Sequence, residues 1–190
     1  NYNTELILNT IHNDPINMVL KELCPENAEL YLVGGYIRDM LTAKTSFDHD
    51  YVIKGESACS FGKIVAERLN GYFIVLDEDY DIARVVMPDK KNYLDFAVCI
   101  GKDINEDLAR RDFSINAIAC RIDKEENAFL DPFKGIEAIN NGIISAISEK
   151  NLIDDPLRIL RAFRFSSQTG YKIDDITLHF INSKINLINN

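Results

Sequence analysis

The stretch ELYLVGGYIRDMLTAKTSFDHDYVIKG, from Glu29 to Gly55, decides the fold. Leu30 to Val33 form a short apolar run that stops at the pair Gly34-Gly35, which reads as a buried strand ending in a turn. Tyr36 to Leu41 fits a helix and Asp50 to Ile53 a second strand, so the unit is α/β. Alternate residues of a strand share a face, so Asp48 and Asp50 point one way while Phe47 and His49 point the other. Two carboxylates one strand repeat apart, about 7 Å between Cα atoms, repel unless a cation lies between them. They are either solvated acids at a strand start or a magnesium pair. Magnesium takes oxygen ligands and keeps positions open for water and phosphate oxygens.

The glycine pair weights that choice. Glycines between a strand and a helix let the backbone approach a ligand closely, and a helix start offers free N–H groups to a phosphate. Arg38, in the first turn, adds a charged fork. With Asp48-x-Asp50 on the next strand, the combination points to a phosphate bound beside a metal. Asp95, in YLDFAV, is either a surface position on a half-exposed strand or a third ligand. Asp77, Glu78, Asp79 and Asp81 read as a solvated acidic turn.

Two further stretches carry arginines. In EDLARRDFSINAIA, Glu106 to Ala119, Arg111 and Asn116 bring donors that could reach a nucleotide's sugar and phosphates; the alternative is a capped helix with exposed arginines. In DPLRILRAFRF, Asp155 to Phe165, Arg158, Arg161 and Arg164 recur every three residues along one side of a helix. Asp155 stands one turn before Arg158 and can pair with it. Leu157, Leu160 and Phe163 form a neighbouring stripe that reads as core. The arginines form either a cationic wall facing an anion or a solvated face.

The remainder bounds these readings. The chain has 190 residues, 46% of them hydrophobic, enough for a sizeable core. Its net charge of −9 argues against a simple polyanion-binding surface, though not against positive charge gathered in one cleft. No apolar run approaches the roughly 20 residues that span a bilayer, and no signal peptide is expected. Cys24, Cys59, Cys99 and Cys120 lack the paired spacing of a zinc site and are expected as reduced thiols.

Residues 3 to 23 read as helix interrupted at Pro15, and Ser57 as the N-cap of a helix to Leu69. Tyr72–Leu76, Ile82–Met87 and Tyr93–Val98 read as strands. Asn105–Cys120 carries helix signals, and Phe129–Leu130 reads as a short strand. The composition changes near Ser148, beyond which helices are expected from Asp155-Pro156 onward. The expected division is a helical segment 1–27, an α/β region 28–147 and the start of a helical region 148–190, apparently cut short.

Taken in order, LVGGYIRD, the FDHDYVI segment, LARRDFSINAIA and DPLRILRAFRF resemble the class II tRNA nucleotidyltransferase and bacterial poly(A) polymerase family, from Leu32 to Phe165. The resemblance implies a polymerase-β-like nucleotidyltransferase head, with a mixed sheet and flanking helices, followed by the start of an all-helical neck. It implies that Gly34, Gly35 and Arg38 hold a triphosphate, that Asp48 and Asp50 bind magnesium, and that Asp95 is the third catalytic carboxylate. Arg111, Asp112 and Asn116 fall in the segment that contacts the incoming nucleotide; Asp155, Arg158, Arg161 and Arg164 border its pocket. The implied reaction is attack of a tRNA 3′-hydroxyl on ATP or CTP in the cytoplasm, with two Mg2+ ions.

The sequence departs from the family at several points. His49 stands where the family most often has a hydrophobic residue, and its side chain is expected to face away from the metals. Ser114 replaces a common threonine. The connection from Asp95 to Asp107 is short, as in members that add only part of the CCA end. The base-reading motif expected after Phe165 is not found before Asn190. A poly(A) polymerase shares the same head. A non-catalytic nucleotide-binding module is the reading of another class, and it would not need both Asp48 and Asp50.

Overall fold

The computed structural model describes residues 4–125 and 128–184. It opens on helices α1 (Thr4–His12) and α2 (Pro15–Leu23). Pro15 starts α2 as well as ending α1. The Asp14 carboxylate accepts the N–H groups of Ile16 and Asn17 at 2.9 and 3.2 Å, and proline suits the first helical turn.

The quoted stretch folds as β1 (Glu29–Val33), α3 (Gly35–Leu41) and β2 (Asp48–Lys54). Next come α4 (Ala58–Leu69), β3 (Tyr72–Asp77), β4 (Ile82–Val86) and β5 (Tyr93–Val98). With β6 (Ala119–Arg121), the strands make a six-stranded mixed sheet in the order β3-β4-β5-β2-β1-β6. β2 and β5 run parallel, and the other pairings are antiparallel. Leu32, Ile53, Leu94 and Phe96 are fully buried, and Phe61 of α4 meets Phe96 edge-on at 5.5 Å. This core fixes β2 in the middle of the sheet.

The Ser57 cap forms as expected, with its hydroxyl accepting the Ser60 N–H. Asp81, expected to be solvated, caps the same helix instead. Its carboxylate accepts the N–H groups of Ala58 and Cys59 at 2.9 and 2.8 Å and the Ser57 hydroxyl at 3.0 Å. Burial alone would raise its pKa, but these bonds outweigh burial and lower it. Asp81→Ala should therefore cost about 1–2 kcal/mol of stability in urea unfolding.

Asn105–Cys120 is not one helix. It divides into α5 (Ile104–Ala109), a 3-10 turn at Ser114–Asn116, and β6. Phe113, Ile115, Ala117, Ile118 and Ala119 are all fully buried, which leaves no polar face for a helix to turn outward. Leu130 makes only an isolated bridge with Ala119. The sequence reading missed α6 (Gly135–Asn141) and the small parallel pair of β7 (Ile143–Ile144) with β8 (Lys172–Ile173).

Helices α7 (Glu149–Asp154), α8 (Leu157–Thr169) and α9 (Asp175–Lys184) are the last elements of the described residues. Ile159, Ala162 and Phe165 of α8 join the same apolar core as Leu32 and Ile53 of the sheet. Leu157, Leu160 and Phe163, expected as core, are exposed, Leu157 at 66%. α8 carries two apolar stripes, and packing on Phe113 selects the one ending at Phe165 (5.9 Å, edge-on).

Candidate active site

β1 delivers the chain to Gly34, whose φ of 74° lies in the left-handed region. A Cβ there would stand 3.2 Å from Arg111 Nη1 and 3.7 Å from Asp50 Oδ2, so two functional side chains close over a bare backbone. His49 is buried against the Tyr36 ring at 4.1 Å, on the face opposite Asp48 and Asp50, as the alternation requires.

A cavity of about 370 Å³ opens between α3, β2, the 3-10 turn and α8. It is lined by Gly34, Gly35, Arg38, Asp48, Asp50, Arg111, Asp112, Asn116, Arg158, Arg161 and Arg164. Five arginines thus meet in one cleft of a chain whose net charge is −9. The guanidinium groups of Arg38, Arg111, Arg158 and Arg161 are held by hydrogen bonds and ion pairs. Arg38 Nη1 donates to Asn116 Oδ1 at 2.6 Å, and Asn116 Nδ2 donates to Asp112 Oδ1 at 3.1 Å. Arg161 Nη2 lies 2.9 Å from Asp112 Oδ2. Arg158 donates to the carbonyls of Arg110 and Asn151, and Arg111 pairs with Asp107 at 3.2 Å.

Phe165, also in the lining, was not singled out in the sequence. The guanidinium carbons of Arg38, Arg161 and Arg164 stand 5.1, 5.6 and 5.3 Å from its ring centre. Its place four residues after Arg161 and one after Arg164 was the available signal. Nε of Arg111, Arg158 and Arg161 and Oδ2 of Asp112 are buried without a hydrogen-bond partner among the described residues. Five guanidinium groups lining one cavity give it the chemistry to take an anion.

Two of the expected residues lie outside this lining. Asp155 pairs with Arg158 at 3.6 Å and accepts the Leu157 N–H at 3.1 Å, so it starts α8 and steadies one arginine. Asp95 sits beside Asp50 in the β2–β5 register, where Arg84 grips it with two bonds of 2.7 Å. Sequence reading missed Arg84, because its link to Asp95 runs across two strands.

Burial pushes the Asp50 carboxyl up to about 6; Arg111 opposes this, while Asp95 and Asp48 add to it. The folded state then holds the Asp50 proton more tightly than the unfolded chain, so this group's contribution to stability falls as pH rises from about 4 through 6. Without divalent cations, Asp50→Asn should be more stable than the parent above pH 6, and the gap should close below pH 4. Urea unfolding across that range measures it. A cation beside Asp48 and Asp50 would relieve the same penalty, so the donor pair suits a hard divalent ion. Among the described residues, no three His, Cys, Asp or Glu side chains gather into a metal cluster.

A mixed sheet with paired carboxylates on its middle strand, beside an arginine-lined anion cavity, is a polymerase-β-like nucleotidyltransferase head. Residues 30–145 match the family described as the poly A polymerase head domain, and the chain belongs to that family. It is 38% identical over 148 residues to the CC-adding tRNA nucleotidyltransferase of Synechocystis sp., covering 77% of this chain and 34% of that protein. It is 33% identical over 191 residues to the A-adding tRNA nucleotidyltransferase of Halalkalibacterium halodurans, covering 91% and 44%. A solved CCA-adding enzyme in complex with ATP superposes with a TM-score of 0.85 at 28% identity, over 97% of this chain and 45% of that one. The chain thus spans between about a third and just under half of the length of these relatives.

Proposed function

We propose that this head transfers CMP, AMP or both from CTP and ATP to the 3′ end of tRNA, releasing pyrophosphate. The observation that carries this reading is the meeting of five arginines in one cavity beside Asp48 and Asp50. The relatives named for tRNA nucleotidyl transfer support the substrate. Residues 28–147 form the catalytic head in this reading, with a helical segment 1–27 before it and a helical neck starting at 148. No helix of the described residues is long and apolar enough to cross a membrane, and a cytoplasmic site of action suits the substrate.

In this mechanism Arg38, Arg111 and the α8 arginines hold the triphosphate and offset the charge that gathers on the departing pyrophosphate. Gly34 lets the phosphates approach the backbone, and Gly35 packs against the Arg38 guanidinium. The Arg38–Asn116–Asp112–Arg161 chain sets the donors before the nucleotide arrives, so little reorganisation accompanies the reaction. Asp48 and Asp50 would hold magnesium, which when bound activates the attacking hydroxyl and screens the phosphate oxygens. Asp95 is the third carboxylate of this proposal, kept oriented by Arg84.

The test is incubation of the full-length protein with labelled CTP or ATP and tRNAs ending at each stage of CCA. Incorporation confined to tRNA ends supports the reading. Long adenylate tracts on unrelated RNA would instead make it a poly(A) polymerase, and triphosphate binding without incorporation would leave a binding module.

A further inference from the structure

In an in-line displacement the attacking oxygen and the leaving group stand on opposite sides of the phosphorus. The arginine cavity lies on the β1–α3 side of Asp48 and Asp50, which makes that the pyrophosphate side. The attacking hydroxyl must then come from over β5, β4 and β3. There the register lays out two rows on one face: Asp48, Tyr93, Val86 and Tyr72, then Asp50, Asp95, Arg84 and Ile74. The opposite face is packed, since Phe73 and Phe96 meet α4 at Gly62.

The outer end of the open face is wet and aromatic. Tyr72 is 60% exposed and Ile74 44%. The Arg84 guanidinium is held by both Asp95 oxygens and lies 5.2 Å from the Tyr93 ring centre. Lys90 and Lys91 are exposed in the turn that adjoins Tyr93, whose hydroxyl donates to the Lys90 carbonyl at 3.3 Å. An exposed ring, a fixed guanidinium and two ammonium groups form the chemistry that holds single-stranded nucleic acid, with bases stacked and phosphates paired.

We propose that the face of β3–β5 is the platform for the unpaired 3′ nucleotides of the RNA that is extended, with Tyr72 stacking a base and Lys90 and Lys91 meeting phosphates. The proposal rests on the nucleotidyl-transfer reading and adds to it a site for the second substrate.

The test uses the full-length protein and a labelled RNA hairpin with a short single-stranded 3′ end. Tyr72→Ala should weaken RNA binding roughly 5- to 100-fold and leave ATP and CTP affinity unchanged. Tyr72→Phe, which keeps the ring, should restore it. Lys90→Glu with Lys91→Glu should weaken binding and flatten its salt dependence. Unchanged RNA affinity in Tyr72→Ala overturns the platform, as does an equal loss for a blunt-ended hairpin. Incorporation by the unsubstituted protein is read alongside: its absence overturns the transfer reading itself, whereas its presence with an unaffected Tyr72→Ala sinks the platform alone.

Discussion

Asp50→Ala is expected to abolish nucleotide addition, by roughly a thousandfold or more, in a protein that remains folded. Asp50 stands where β1, β2 and Arg111 converge, with its Oδ2 3.7 Å from where a Cβ on Gly34 would stand. Its burial disfavours the charge, a poor arrangement for stability and a good one for a cation ligand. Loss of the carboxylate should therefore spare the fold and remove the chemistry. Asp48→Ala, at the exposed start of the same strand, should do the same. Circular dichroism and labelled-nucleotide incorporation on tRNA separate the two effects. Near-parental incorporation by either variant would sink the metal assignment.

Arg38→Ala should raise the Kd for ATP and CTP roughly 10- to 100-fold. Arg38 holds Asn116, is itself held by the Asp39 carboxylate at 2.8 and 3.0 Å, and lies over Phe165. Its loss would leave Asn116 Oδ1 without its donor and loosen the chain that reaches Arg161. Arg38→Lys should rescue little, because an ammonium keeps the charge but cannot donate to Asp39 and Asn116 in one plane. Calorimetric titration decides, and unchanged affinity in Arg38→Ala would remove Arg38 from the triphosphate site.

The fold was legible where apolar period and punctuation agreed. Gly34-Gly35, Ser57 and the runs around Val52 and Phe96 placed the central strands and their helices. It was illegible where burial covered every side, as from Phe113 to Cys120, since no periodicity survives there. α8 shows a second limit: Leu157, Leu160 and Phe163 match Ile159, Ala162 and Phe165 in spacing, and only tertiary contact with Phe113 chooses between them.

Among the site residues, the cavity gathers those carried by local motifs, Asp155 excepted. Those defined by a partner far along the chain went unread. Arg84 acquires its place from Asp95 through strand pairing, and Asp81 from helix α4 across a hairpin. An acid in a turn and an arginine in a strand look ordinary until their partners are known.

The shared core under α8 carries a thermodynamic consequence. Because Ile159, Ala162 and Phe165 are anchored with the sheet, Arg158, Arg161 and Arg164 are held beside Arg38 and Arg111. In the proposed function a polyphosphate would enter a cleft whose donors are already in place. By linkage, a nucleotide bound there would raise thermal resistance in proportion to the logarithm of its concentration above Kd. On the proposed function, the nucleotide would then brace the architecture as well as react within it.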